Sequence, residues 1–295
     1  MKFKYLLLLF CCIGGLITSC KENKKTQPTI TVTILPQKFL VEQIAGDFLQ
    51  VNVMVPPGMS PATCDMNISQ LQKLHDSDLC FTIGHLPFEQ THLYPVLQQN
   101  PKIQVITHSE GVQLQHGDCG CSHAHNETHD HGGIDPHIWL SPKIFHNMAT
   151  QVYRTLIDKY PAQQQIFQQN YNKLISAIDT LMLKAKEVFK LTSHYPFLIY
   201  HPALTYFASD YGLEQIAIEH EGKEPNPTHL KSIIDFAKEK KIQLIFIQKQ
   251  FDVQNAQAIA KEINGRIVLI DPLAENWIEE VNKLIELFRT ELQQN

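Results

Sequence analysis

The sequence predicts an α/β protein of two lobes, each built on a parallel sheet, joined by a long rigid helix. Three observations predict it. Strand and helix signals alternate in the first third of the chain and again in the last third, the pattern of a parallel sheet with crossover helices. Between them, apolar residues recur at three- and four-residue steps over a stretch much longer than an ordinary crossover. A polar, glycine-punctuated interruption at 108–134 separates the first alternation from that helical stretch.

The first residues stand outside this pattern. Lys2 and Lys4 precede an uncharged run from Tyr5 to Ile17, the form of a secretory signal. The run is shorter than the roughly 20 residues a membrane-spanning helix needs. It ends in Ile17-Thr18-Ser19-Cys20, which resembles a bacterial lipobox. That resemblance implies removal of residues 1–19 and lipidation of Cys20; a plain signal peptide or short membrane anchor is the alternative. Residues 20–29 then form a polar tether that would hold the folded body at a membrane surface without embedding it. No later stretch is apolar enough to span, so the rest of the chain is expected to be soluble.

About 265 residues remain, enough for two cores. A net charge of −5 argues against a nucleic-acid partner, which would call for a basic face. Of seven cysteines, Cys11 and Cys12 leave with the signal and Cys20 takes lipid. Cys64, Cys80, Cys119 and Cys121 offer no clear disulfide framework.

The elements follow in order. In the first lobe, 30–107, strands are expected at Thr29–Leu35, Val51–Val55, Asp78–Ile83 and Ile103–Ile106. Helices are expected around Phe39–Ile44, at Ile68–His75 and near Glu89–Leu97. Bracing helices occupy 141–192: one from Pro142 to Tyr160, and one opened by Pro161 that runs to about Leu191. The second carries Ile166, Tyr171, Leu174, Ile178, Leu181, Ala185 and Phe189 at helical steps. About thirty helical residues would span about 45 Å, long enough to brace two lobes; two ordinary bundle helices are the plainer reading. In the second lobe, 193–295, strands are expected at Phe197–Tyr200, Gln215–Ile218, Leu244–Ile247 and Arg266–Ile270, with a last helix from about Glu275.

The interruption and its exit read HGDCGCSHAHNETHDHGGIDPH over residues 116–137 and hold six of the fifteen histidines. Imidazole, thiolate and carboxylate are the protein's ligands for transition metals, and such a segment has little apolar surface to bury. His116, Cys119, Cys121, His123, His125, His129 and His131 therefore form a candidate auxiliary metal store in a loop of functional length. Adventitious binding by a structureless tract is the alternative.

In open parallel sheets, ligands bind beyond the carboxyl ends of the strands. There FLIY runs into His201-Pro202, RIVLI into Asp271-Pro272, and DLCFTI into Gly84-His85, while DPHIWLSP places His137 where the long loop meets the bracing helix. Singly, each has an ordinary structural role such as a turn or helix cap. Together, on one crevice edge beside a histidine-rich loop, they point to a metal.

The chain resembles the zinc-type, TroA-like solute-binding proteins of bacterial ABC importers. The resemblance rests on DPHIWLSP (135–142), YHPALTYFASDYGL (200–213), EGKEPNPTHL (221–230) and DPLAENW (271–277), with weaker support from PPGMSP (56–61). It implies two α/β lobes, a metal site in the cleft between them, and His137, His201 and Asp271 as metal ligands. One departure stands out: the histidine usual after PPG-x-x-P is Ala62 here. His85 is the candidate replacement, ahead of Asp65, Glu89 and Cys64; three protein ligands plus water is the other solution. Two or three nitrogens and a carboxylate suit tetrahedral zinc. Manganese prefers more oxygen, and the family's manganese members tend to carry glutamate where His201 stands. Glu221, Glu224 and Asp135 could orient the imidazoles; solvated loop charges are the plainer reading of all three.

The resulting expectation is a lipid-anchored binding protein of the cell envelope, facing the periplasm or exterior. It would be a monomeric carrier, not an enzyme, that captures Zn²⁺ and delivers it to an ABC-type permease with its ATPase. A zinc hydrolase with an open three-ligand site is the rival, but there is no H-E-x-x-H segment; the nearest string, His220-Glu221-Gly222-Lys223-Glu224, lacks the second histidine. A manganese- or iron-binding member, or a stand-alone metal chaperone or adhesin, is the remaining alternative.

Overall fold

A computed structural model describes residues 27–117, 133–219, 223–251 and 253–294. The expected signal, Cys20 and most of the tether lie outside these, as do Cys119, Cys121, His123, His125, His129, His131 and Glu221. Among the described residues no helix is long and apolar enough to cross a membrane.

The first lobe runs β1 (Thr29–Val32), α1 (Leu35–Ala45), β2 (Gln50–Val53), α2 (Ile68–His75), β3 (Ser77–Thr82), a wide turn at Glu89–Leu93, α3 (Tyr94–Gln98) and β4 (Gln104–Thr107). The strands are all parallel, in the order β2-β1-β3-β4. The strand expected to reach Leu35 stops at Val32, because Leu35-Pro36 opens α1 and a proline is pre-set for a first helical turn. The helix expected over Glu89–Leu97 begins as a π turn instead. α2 has the expected bounds, and Asn67 explains them. Its side chain accepts from the Gln70 N–H at 2.9 Å while Gln70 Oε1 accepts from the Asn67 N–H at 3.0 Å, a reciprocal cap.

After the ligand-rich segment, a single tight turn (Ile138–Leu140) leads into α4 (Pro142–Lys159), capped by the Ser141 hydroxyl. α5 (Gln164–Val188) follows a turn opened by Pro161. It ends three residues short of the expected Leu191, which is almost fully exposed, so the helical period has no core left to face. Phe167 of α5 meets Phe48 edge-on in the first lobe, and Lys184 donates to Asn282 at 2.6 Å in the second. The helix is a brace.

The second lobe repeats the plan: β5 (Tyr195–Ile199), α6 (Thr205–Tyr211), β6 (Leu213–Ala217), α7 (Pro227–Lys240), β7 (Leu244–Gln248), α8 (Gln254–Ile263), β8 (Arg266–Ile270) and α9 (Trp277–Gln294). Its parallel sheet has the order β6-β5-β7-β8. β5 and β6 each start two residues before the expected position, since pairing begins at Tyr195–Leu213 ahead of the fully apolar run. Alternate residues of β5 feed different cores. Phe197 and Ile199 join one that continues through α4 and α5 into the first lobe, while Leu198 packs in a smaller cluster under α7 and α8.

Two indoles tie the second lobe to α4 and the turn before it, and Phe145 of α4 in turn stacks on Phe39 of the first lobe at 6.5 Å. Trp139 Nε1 donates to the Pro272 carbonyl at 2.7 Å, and Trp277 Nε1 donates to the Trp139 carbonyl at 2.8 Å. The Trp277 ring stacks on Phe145 of α4 at 3.7 Å. Each buried N–H is thereby satisfied while the ring fills the core.

Candidate metal centre

The ligand-rich segment closes at its base. His116 bridges Ile134, the Gly117 N–H reaches the Gly133 carbonyl, and the Asp135 N–H reaches the Gln115 carbonyl. The Tyr206 hydroxyl donates to the Asp135 carbonyl at 2.8 Å and accepts from the Gln115 N–H at 3.1 Å, pinning both arms to the second lobe. Asp135 is buried, and its Oδ1 accepts from the His137 N–H and from His137 Nδ1, both at 2.7 Å. Burial pushes the Asp135 carboxyl upward. The charge of His137, with hydrogen bonds from its ring, its backbone and Thr205, outweighs that and holds the carboxyl below the usual range.

His201 lies two residues beyond β5, and Glu219 lies two beyond β6. Because Ile199 pairs with Ala217, the parallel register sets these two residues side by side. His201 Nδ1 is 2.7 Å from Glu219 Oε1, and the carboxylate is buried. A carboxylate only accepts, so each imidazole donates from Nδ1 and leaves Nε2 as the nitrogen that, when unprotonated, can take a cation. The two rings meet edge to face with centroids 5.2 Å apart.

Both rings line a cavity of about 90 Å³. Its remaining wall comes from Ser60, Pro61 and Ala62 of the first lobe and from Trp139, Ala203, Gln248, Gln250, Phe251, Pro272 and Leu273. This is far below the roughly 300–1,000 Å³ of pockets that hold small organic ligands, and suits an ion.

Of the other expected ligands, Asp271 sits at the end of β8, beside cavity residues Pro272 and Leu273. Its Oδ1 accepts from the Leu273 N–H at 3.2 Å, its own N–H goes to Glu280 at 2.8 Å, and its Oδ2 lies 3.2 Å from Lys249 Nζ. His85 is half-buried after β3 and is not on the cavity wall. Among the described residues, no group of three or more His, Cys, Asp or Glu side chains stands arranged around a common point. The structure thus brings together His137 and His201, with Asp271 adjoining and His85 apart.

The lower-ranked stand-ins for the missing histidine are engaged elsewhere. Glu89 is fully buried and accepts from Thr33 Oγ1 and the N–H groups of Ile83, Gly84 and Leu86, so it clamps the loop that carries His85. Cys64 is buried, and burial first, then the Asp65 charge, pushes its thiol up, away from the metal-binding thiolate. Asp65 is exposed and pairs with His92 at 3.4 Å. Glu224 is exposed. Glu219, by contrast, escaped the sequence reading; only the order of β5 and β6 would have revealed it.

The family model described as zinc-uptake complex component A, periplasmic, matches residues 30–294. The chain belongs to this zinc-uptake family. Two crystal structures of ZnuA, one a deletion mutant with zinc bound, each superpose with a TM-score of 0.78 at 31% identity. They cover 89% of this chain, which in turn spans 98% and 96% of theirs. The high-affinity zinc uptake system protein ZnuA of Bacillus subtilis is 22% identical over 94% of the chain and 88% of its own length. The zinc-binding lipoprotein AdcA of Streptococcus pneumoniae is 25% identical, and this chain spans 59% of it. Members of the zinc-uptake family are solute-binding proteins, not enzymes, which removes support from the hydrolase alternative.

Proposed function

We propose that this chain captures Zn²⁺ outside the cytoplasm and delivers it to an ABC-type permease driven by its ATPase. The observation that carries the reading is the pair of imidazoles 5.2 Å apart, each tied at Nδ1 by a buried carboxylate and opening onto one ion-sized cavity. His137 and His201 would each give Nε2. Asp271 would give a carboxylate oxygen on exchanging Lys249 for the cation. Water, or His85 on moving in from its place off the cavity wall, would complete a tetrahedron where Ala62 offers no donor.

The remaining assignments follow from the sequence. Cys20 would anchor a monomer to the envelope membrane, facing the periplasm or exterior. His116, Cys119, Cys121, His123, His125, His129 and His131 would form a weaker store that feeds the cleft.

The deciding experiment replaces His137, His201 and Asp271 together by alanine in a chain trimmed of residues 116–133. Loss of tightly held zinc, measured by chelator competition, is expected; retention of it overturns the reading. The same trimming of the unmutated chain should leave one tight site and remove the weaker ones.

A further inference from the structure

The β5–β7 ladder ends one residue before His201, with the Tyr200 N–H on the Phe246 carbonyl at 2.8 Å. Leu198 pairs with Ile245, so the register continued by three residues sets His201 beside Gln248. No main-chain pairing exists there, yet the main chain of His201 is held. Gln248 Nε2 donates to the His201 carbonyl at 2.6 Å, and Gln248 Oε1 accepts from the His201 N–H at 3.3 Å. Gln248 is 2% exposed, its own carbonyl accepts from the Phe251 N–H at 3.1 Å, and both ends of its amide are in use. A carboxamide is the side-chain group that offers a donor and an acceptor side by side to one residue's N–H and C=O.

The geometry points to Gln248 as a positioning residue for the metal, acting through His201 and not as a ligand. It holds the backbone of His201 while Glu219 holds Nδ1 and Phe251 stacks against the ring at 5.4 Å. The aim of Nε2 is then fixed from the main chain outward, in a cavity to which Ala62 of the first lobe supplies no donor. The inference rests on His201 being a zinc ligand.

Gln248→Met removes both contacts at similar volume, and Gln248→Glu keeps only the acceptor. The intact chain and its variants would be compared for Zn²⁺ affinity by chelator competition, for visible absorption with Co²⁺, and for metal-free Tm. Gln248→Met is expected to weaken Zn²⁺ roughly 10–100-fold, as loss of a ligand's supporting hydrogen bonds does, and to shift the Co²⁺ bands. Gln248→Glu should lie between it and the parent, and Gln151→Met, altering a part-buried glutamine away from the cavity wall, should stay within about threefold of the parent. A lower metal-free Tm with unchanged affinity and spectrum overturns the proposal, as does a Gln151→Met loss equal to that of Gln248→Met. So does a Gln248→Glu variant with parental affinity and spectrum. His201→Ala separates the failures: if it binds zinc like the parent, the functional reading falls and takes this inference with it. If it loses zinc while Gln248→Met does not, this inference alone falls.

Discussion

Asp135 and Glu219 sit behind the two imidazoles and decide which nitrogen faces the cavity. Asp135→Asn and Glu219→Gln each keep the shape but can present an N–H to Nδ1, favouring the wrong tautomer. Each is expected to lower zinc affinity about 10–100-fold in chelator competition. His108 carries a different consequence. It stacks on Phe81, bonds Gln151 at 2.6 Å, and burial presses its pKa down to about 4 against the opposing pull of that bond. Below the ordinary value near 6.5 the unfolded chain binds a proton that the folded chain refuses, so stability falls as pH drops from about 6.5 to about 4. At about 1.4 kcal/mol per pH unit the loss reaches roughly 3 kcal/mol. Denaturant melts of His108→Leu across that window should show a flatter pH dependence than the parent, whatever its absolute stability.

The loop after β3 depends on one glycine. Gly84 has φ +119°, and a Cβ there would lie 2.1 Å from Ser109 Oγ, so β3 and the turn after β4 approach as only glycine permits. Gly84→Ala should cost about 1–3 kcal/mol in chemical denaturation from backbone strain, before any displacement of Ser109. Glu89 would still hold the amides around His85, so zinc affinity is expected to change less than it does on losing Asp135 or Glu219.

Across the whole molecule, the Trp139–Trp277–Phe145 cluster makes the cleft floor part of a core shared by both lobes. Trp277→Ala should destabilise by about 3–5 kcal/mol, read as a drop in denaturation midpoint. Trp277→Phe keeps a ring on Phe145 but leaves the buried Trp139 carbonyl unpaired, at about 1–3 kcal/mol. Small-angle scattering of Trp277→Ala should show a larger radius of gyration if this cluster, beyond α5, sets the spacing of the lobes; an unchanged radius would assign that spacing to the brace alone.

The sequence by itself determined the alternation of elements, the braced two-lobe plan, the bounds of α2 and β8, and the strand-end positions of His201 and Asp271. These are local properties: a cap at Asn67, a run of apolar residues, a proline after a strand. The end of α5 was misjudged because a helical period continues on paper after the core it would face has run out. Tertiary structure alone decided that Glu219 and Gln248, 18 and 47 residues from His201, are its partners, because strand order within a parallel sheet chooses neighbours that spacing along the chain cannot. It also decided that Glu89, exposed by nothing in its motif as structural, spends its carboxylate on backbone amides. A buried carboxyl must find hydrogen-bond partners wherever the fold places them.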